Sequence, residues 1–303
     1  MRSVLALMPT RLPFSILVTT QFLMNTATQI SVDDLCKLTQ LRPFPDTASR
    51  LLTISKDPSS TMIDLTEVIA SDPILTMQIL KLANSSVYGM TAQIGSIQHA
   101  GVIIGLKALK NLAISMLVGG MFDAGQPETA TIRQQLLDHS LLTACIAKQI
   151  SCATPSGFSD EAFLGGMLHD IGKLILVDHR PDEFWAVLER SGPGQSVVVE
   201  AETFGLNHVT IGEACCEAWG LPGTMIDIVA DHHNAVSEGN SSDLKAVMAG
   251  NLLSQSWTKL SQNELDQVLG QFFVELSGTL VLEQLKSNVD EEIQLMTEIR
   301  ASR

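Results

Sequence analysis

Met167-Leu168-His169-Asp170-Ile171-Gly172-Lys173 places a histidine and an aspartate side by side. Adjacent imidazole and carboxylate groups can reach one divalent cation: ring nitrogen suits transition metals, and the carboxylate supplies compensating negative charge. Chance produces many His-Asp pairs, so this one gains meaning from its companions. His139 lies upstream, and His208 and the pair His232-His233 lie downstream. Each companion alone has a plainer reading. His139 shares a helix face with Leu136, Leu142 and Ile146, and a histidine on an apolar face is more often a core residue bonded to a carbonyl. His208, His232 and His233 read equally well as helix-end residues, and His99 and His179 as structural ones.

Helices must position these groups. Strand signals are nearly absent, with Val197-Val198-Val199 the one β-branched run, whereas apolar residues recur at three-four spacing through most of the chain. Leu51, Leu52 and Ile54, then Leu65, Val68 and Ile69, mark two helices separated by Asp57-Pro58. Asp72-Pro73 is an N-cap followed by proline at the first helical position, and Asn84-Ser85-Ser86 with Tyr88-Gly89 closes that helix. Ser96 opens a segment that breaks at Gly105. Gly119-Gly120 and Gly125-Gln126-Pro127 predict a turn-rich connection. Beyond it, Thr131 to Ser151 forms one helix carrying His139, and Ser159-Asp160-Glu161 starts another that leads to His169-Asp170. Pro193-Gly194 punctuates the next stretch. Asn207 caps the helix of His208, Gly220-Leu221-Pro222 ends it, and Thr224 caps a helix ending at His232-His233. The prediction is an all-α, two-lobed helical bundle. Its parts are an apolar extension (1–30), a first lobe (31–122), a second lobe (128–260) and a helical tail (261–303).

A chain of 303 residues with 45% apolar content can build such a core. Its formal charge of −14 argues against a general nucleic-acid binder, which needs cations to neutralise phosphates. Cys36, Cys145, Cys152, Cys215 and Cys216 are an odd set without framework spacing, and read as buried thiols of a reducing cytoplasm. Met1 to Leu23 is apolar, but Pro9 and Pro13 interrupt it, so no uninterrupted run is long enough to span a bilayer. Phe14 to Val18 resembles a signal-peptide core with Arg11 and Pro13 oddly placed. A start at Met24 is the reading we favour.

Two stretches together resemble the HDOD family, bacterial signal-output relatives of the HD-domain metal-dependent phosphohydrolases. The first is Leu41-Arg42-Pro43-Phe44-Pro45, Ile69-Ala70-Ser71-Asp72-Pro73 and Leu80-Lys81-Leu82-Ala83-Asn84-Ser85, continued by Ile97 to Leu106. The second is Ala162 to Gly172, then Trp219-Gly220-Leu221-Pro222 and His232-His233. The likeness covers roughly residues 35 to 257, and plain HD enzymes lack the Asp-Pro and Ala-Asn-Ser features. It implies an HD-like second lobe. It also implies a ligand set of His139, His169, Asp170, His208, His232 and His233 for one or two divalent metals (iron, manganese or zinc). The family pattern ends on an aspartate, and here Asn251 stands at that degenerate ligand position.

An amide oxygen is neutral, a poor ligand for a transition metal, and does not help deprotonate a bound water as a carboxylate does. The loss therefore hits hydrolysis harder than metal binding. Lys173 either steadies a phosphate or snorkels to solvent. The Gly-Tyr-Pro signature of cyclic-dinucleotide hydrolases is replaced by Asn234-Ala235-Val236-Ser237. The resemblance implies a non-catalytic regulatory module that binds a signalling protein or a nucleotide ligand, with no membrane role and an open oligomeric state. Its rival is a metal-dependent phosphohydrolase acting on a nucleotide or other phosphoester. A third idea treats Gln98 to Ile114 as a helix-turn-helix, with Lys107 and Lys110 as its cations. The acidic chain speaks against it.

Overall fold

The computed structural model describes residues 44–56, 60–84, 94–123, 127–154, 159–191, 196–276 and 278–301. The apolar 1–30 segment with Met24, the Leu41-Arg42-Pro43 motif, Asp57-Pro58, Tyr88-Gly89, Gly125-Gln126 and Pro193-Gly194 lie outside the described residues. Every regular element among the described residues is a helix, as the periodicity predicts.

The first lobe comprises α1 (Asp46–Lys56), α2 (Met62–Ala70), α3 (Pro73–Ala83), α4 (Ile97–Ile104) and α5 (Leu106–Asp123). Leu51, Leu65, Val68, Ile69, Leu75 and Ile79 bury the predicted stripes. Asp72 caps α3 as expected: its Oδ1 accepts from the backbone N–H groups of Ile74 and Leu75, each at 3.0 Å. Asn84 joins the end of α3 to the approach of α4. Its amide donates to the carbonyls of Leu80 (2.7 Å) and Ile94 (2.9 Å), and its oxygen accepts from Ile94 N–H at 2.7 Å. Ser96 caps α4, and Gly105, at φ +87°, makes the break before α5.

Helix α5 runs straight through Gly119-Gly120 to Asp123, where the sequence predicts a turn. Each helical glycine costs about 1 kcal/mol against alanine. Burial of Val118, Met121 and Phe122 around the pair outweighs that cost. Leu109, Leu112, Ala113, Ile114 and Met116 are buried too, and the Lys110 ammonium is engaged by Asp160. This helix is a core element, most of its residues from Leu109 to Phe122 being buried.

The second lobe begins with a 3-10 turn (Pro127–Thr129) and continues with α6 (Ala130–Cys152), α7 (Ser159–Leu168), α8 (Ile171–His179), α9 (Pro181–Arg190), α10 (Ser196–Phe204), α11 (His208–Ala218), α12 (Gly223–Asp231) and α13 (Ser242–Ser254). Helices α6, α7 and α13 pack on one another at its centre. Gly166 permits this: a Cβ there would lie 2.4 Å from the Ala144 Cα. Gly172 does the same between α8 and α11, where a Cβ would fall 1.9 Å from the His208 carbonyl oxygen. Asn207 caps α11, accepting from Thr210 N–H at 3.0 Å. Helix α12 opens at Gly223 behind Pro222 rather than on Thr224, without a side-chain cap. Proline supplies its own preset backbone at that junction.

The tail forms α14 (Gln262–Phe272) and α15 (Leu282–Ala301), with 3-10 turns at Trp257–Lys259 and Val274–Leu276. Helix α15 packs on α6 of the second lobe and on α3 and α5 of the first. Glu292 pairs with Lys148, and Asn288 donates to Gln149 Oε1 at 3.1 Å. No single helix among the described residues is long and apolar enough to cross a membrane. Cys145, Cys152, Cys215 and Cys216 are free thiols, with Cys152 exposed, and Cys36 lies outside the described residues.

Candidate metal centre

Five helix segments deliver side chains to one point. His169 and Asp170 occupy the tight turn between α7 and α8, where close packing of Gly166 and Gly172 seats the turn against α6 and α11. His139 comes from the middle of α6, His208 from the first position of α11, and His232-His233 from the end of α12. Asn251 arrives from α13 beside the His139 ring. His169, His208, His232 and Asp170 are buried, while His139 is partly open and His233 exposed.

Asp170 divides the set in two. Its Oδ2 faces His139 Nε2 (3.5 Å) and His169 Nε2 (3.4 Å), and those two nitrogens are 3.3 Å apart. Its Oδ1 faces His208 Nε2 (3.2 Å) and His232 Nε2 (3.6 Å), themselves 3.4 Å apart. Donors at about 2.0–2.1 Å from a tetrahedral cation stand about 3.3–3.4 Å from one another, so each triangle matches a face of such a polyhedron. With His233, the second group offers four ligand atoms within 4.8 Å of one another.

The outer nitrogens fix which atoms face inward. His169 Nδ1 donates to the Gly166 carbonyl at 2.8 Å, and His232 Nδ1 to the Val229 carbonyl at 2.9 Å. His208 Nδ1 donates to Glu200 Oε2 at 2.6 Å. Ser254 Oγ donates to the Asn251 carbonyl at 2.8 Å, leaving it to accept from His139 Nδ1 at 3.3 Å. The four Nε2 atoms therefore converge as lone pairs on one carboxylate. A divalent cation between them would satisfy all of these lone pairs, and anchoring the far ring nitrogen is how proteins orient histidine ligands. Asp170 Oδ1 is buried and finds no hydrogen-bond donor among the described residues. The residues fit a divalent metal.

Electrostatics agree. Burial pushes His139 down to about 4, and the neighbouring Asp170 only partly opposes it. Burial lowers His208 and His232 as well, with the Lys173 charge adding to the effect on His208. These rings are neutral near pH 7 and available as ligands. Burial alone would raise the Asp170 carboxyl, but the Lys173 ammonium beside it holds it well below the usual range.

The structure brings all six predicted ligands together and sets Asn251 beside them. Lys173 does not snorkel outward: its Nζ lies 2.7 Å from Asp170 Oδ2, and its side chain is 15% exposed. Sequence reasoning missed Glu200. Buried on α10, it also accepts from the His208 backbone N–H at 2.7 Å, and burial pushes its carboxyl up to about 7. Its one sequence signal was an acid directly behind Val197-Val198-Val199. Ser254, behind His139, carried none.

Comparison with known proteins gives the family. The HDOD domain profile matches residues 41–235. A Treponema pallidum (strain Nichols) protein, itself uncharacterized, is 27% identical over 199 residues, covering 63% of this chain and 38% of that protein. The chain thus spans well under half of that relative's length. Among solved structures, an HDOD domain protein of unknown function from Geobacter sulfurreducens superposes with a TM-score of 0.68 at 22% identity, covering 89% of this chain and 98% of that one. A Shewanella amazonensis protein named as a candidate phosphohydrolase gives 0.66 at 20% identity, covering 88% and 97%. A Marinobacter aquaeolei protein named as a candidate signal transduction protein gives 0.64 at 22% identity, covering 95% and 63%. At these identities the superpositions speak for the fold. The profile match spans well over half of the 303 residues, and this chain belongs to the HDOD-domain family.

Proposed function

We propose that this chain is a regulatory HDOD module that holds a divalent cation (iron, manganese or zinc) and acts by binding a partner protein or a nucleotide ligand rather than by hydrolysis. One observation carries the reading: Asn251, not a carboxylate, stands against His139 in the ligand cluster. An amide accepts no proton from an attacking water. Lys173, the nearest cation, is bound to Asp170. In this reading residues 31–122 and 128–260 are the two lobes, 261–303 is the tail that α15 lays across both, and the free thiols suit a reducing cytoplasm.

A second reading, a metal-dependent phosphohydrolase acting on a nucleotide or other phosphoester, is favoured by the inward lone pairs and by the open edge at His139 and His233. A divalent cation supplies Lewis acidity to a phosphoryl oxygen and acidifies water. Lys173, swung off Asp170, would steady phosphoryl charge, and the buried rings would exclude bulk water. The deciding experiment is elemental analysis of protein purified without chelator or affinity metal, followed by a phosphoester screen of wild type and His169→Ala. Bound metal without turnover is expected. Turnover that vanishes in His169→Ala would install the second reading, and a folded, metal-free protein would remove the cation from both.

A further inference from the structure

The two halves of the centre are not equivalent. We propose that a single cation binds between Asp170 Oδ1, His208, His232 and His233, and that the Lys173 ammonium serves as the built-in counter-cation of the opposite half. The assignment rests on the metal reading above and adds to it where the cation sits and how many are held.

Three observations point the same way. Asp170 Oδ1 has no hydrogen-bond donor among the described residues, whereas Oδ2 already receives Lys173 Nζ at 2.7 Å. A cation beside Oδ2 would have to share one carboxylate oxygen with a fixed positive charge. The donor sets also differ. The Oδ1 side has a fourth ligand in His233, while the Oδ2 side has three, with the neutral Asn251 where an acid would complete it. Finally, the outer partners differ in strength. His208 Nδ1 is held at 2.6 Å by the Glu200 carboxylate, which makes Nε2 a stronger donor. His139 Nδ1 faces the neutral Ser254 hydroxyl at 3.3 Å. Charge, ligand number and ligand basicity all favour the same half.

Stoichiometry tests this without any activity. The full chain is stripped, loaded with Zn²⁺ or with Mn²⁺ alone, desalted and assayed for metal per chain, with circular dichroism confirming the fold. Wild type and His139→Ala are each expected to hold one equivalent. His232→Ala and His233→Gln should weaken binding by roughly 100-fold or more, as loss of a direct ligand exceeds the tenfold to hundredfold effect of an outer partner. Lys173→Met should raise the count to two by freeing Oδ2. Asn251→Asp, nearly isosteric, should do so too, and it keeps the test alive if Lys173→Met fails to fold. Two equivalents in wild type, or loss in His139→Ala with retention in His232→Ala, would overturn the assignment while leaving a metal centre. A folded wild type that takes up no cation would overturn the metal reading itself.

Discussion

The first lobe buries Leu51, Leu65, Ile79 and Leu112 with uncharged polar companions, Thr66, Gln78, Asn111 and Ser115. The second buries Arg133, Asp170, Glu200 and Asp243 beside His169, His208 and His232. Burying charge costs several kcal/mol per group unless partners are placed for it. In the second lobe they are placed: Asp178 for Arg133, Ser151 for Asp243 at 2.8 Å, Lys173 for Asp170 and His208 for Glu200. One lobe is held by interchangeable apolar packing and helix caps. The other adds to its own apolar core a specific arrangement of buried polar groups, and that is where a ligand is to be sought.

Substitutions can break this contrast or sharpen it. The largest effect is expected from Gly172→Ala, whose Cβ would meet a backbone carbonyl that has nowhere to go. Forcing α8 off α11 should cost about 3 kcal/mol in urea unfolding and abolish metal retention. Wild-type stability in that variant would show that the second lobe is as forgiving as the first. Glu200→Gln should act next, and through pH. His139, His208 and His232 have depressed folded-state pKa values, so their contribution is full above about pH 6.5 and is lost as pH falls toward the folded value, about 4 for His139. Glu200 is raised from 4.5 to about 7, so its contribution is full below 4.5 and is lost as pH rises through 7. The two oppose each other between pH 4.5 and 7. In metal-free protein the melting temperature of Glu200→Gln should therefore fall more steeply than that of wild type as pH is lowered from 7 to 4.5; parallel profiles would discard Glu200 as an active partner.

In the first lobe the expected effects are smaller and purely thermodynamic. Asp72→Ala removes the cap of α3 and should cost about 1 kcal/mol with metal content unchanged. Gly119→Ala should stabilise by up to about 1 kcal/mol, since nothing lies within 4 Å of the new Cβ and the helix there is regular. A change in metal content from either would mean the lobes are coupled more tightly than their cores suggest.

These differences track what the sequence could disclose. Caps are local chemistry, so Asp72, Ser96 and Asn207 announced their helices directly. The family resemblance around His169-Asp170 likewise singled out the histidines whose side chains the fold brings together. Gly119-Gly120 misled because the apolar contacts that hold a helix through two glycines come from distant segments. Thr224 misled because Pro222 had already fixed the entry to α12. Glu200 stayed hidden because its meaning depends on a partner eight residues away across a turn. The unequal loading of the two Asp170 oxygens is wholly three-dimensional: adjacency of His169 and Asp170 says nothing about which oxygen faces which ring.

The candidate ligands are drawn from positions 139 to 233, on helices that meet only when the second lobe is complete. Unfolded, the same groups are scattered along nearly a hundred residues and offer no site. A cation held there thus binds the native chain alone and adds to its free energy of unfolding by about 1.4 kcal/mol for every tenfold rise in free concentration above the dissociation constant. On the proposed metal reading, the folded population would then rise with the free concentration of that cation.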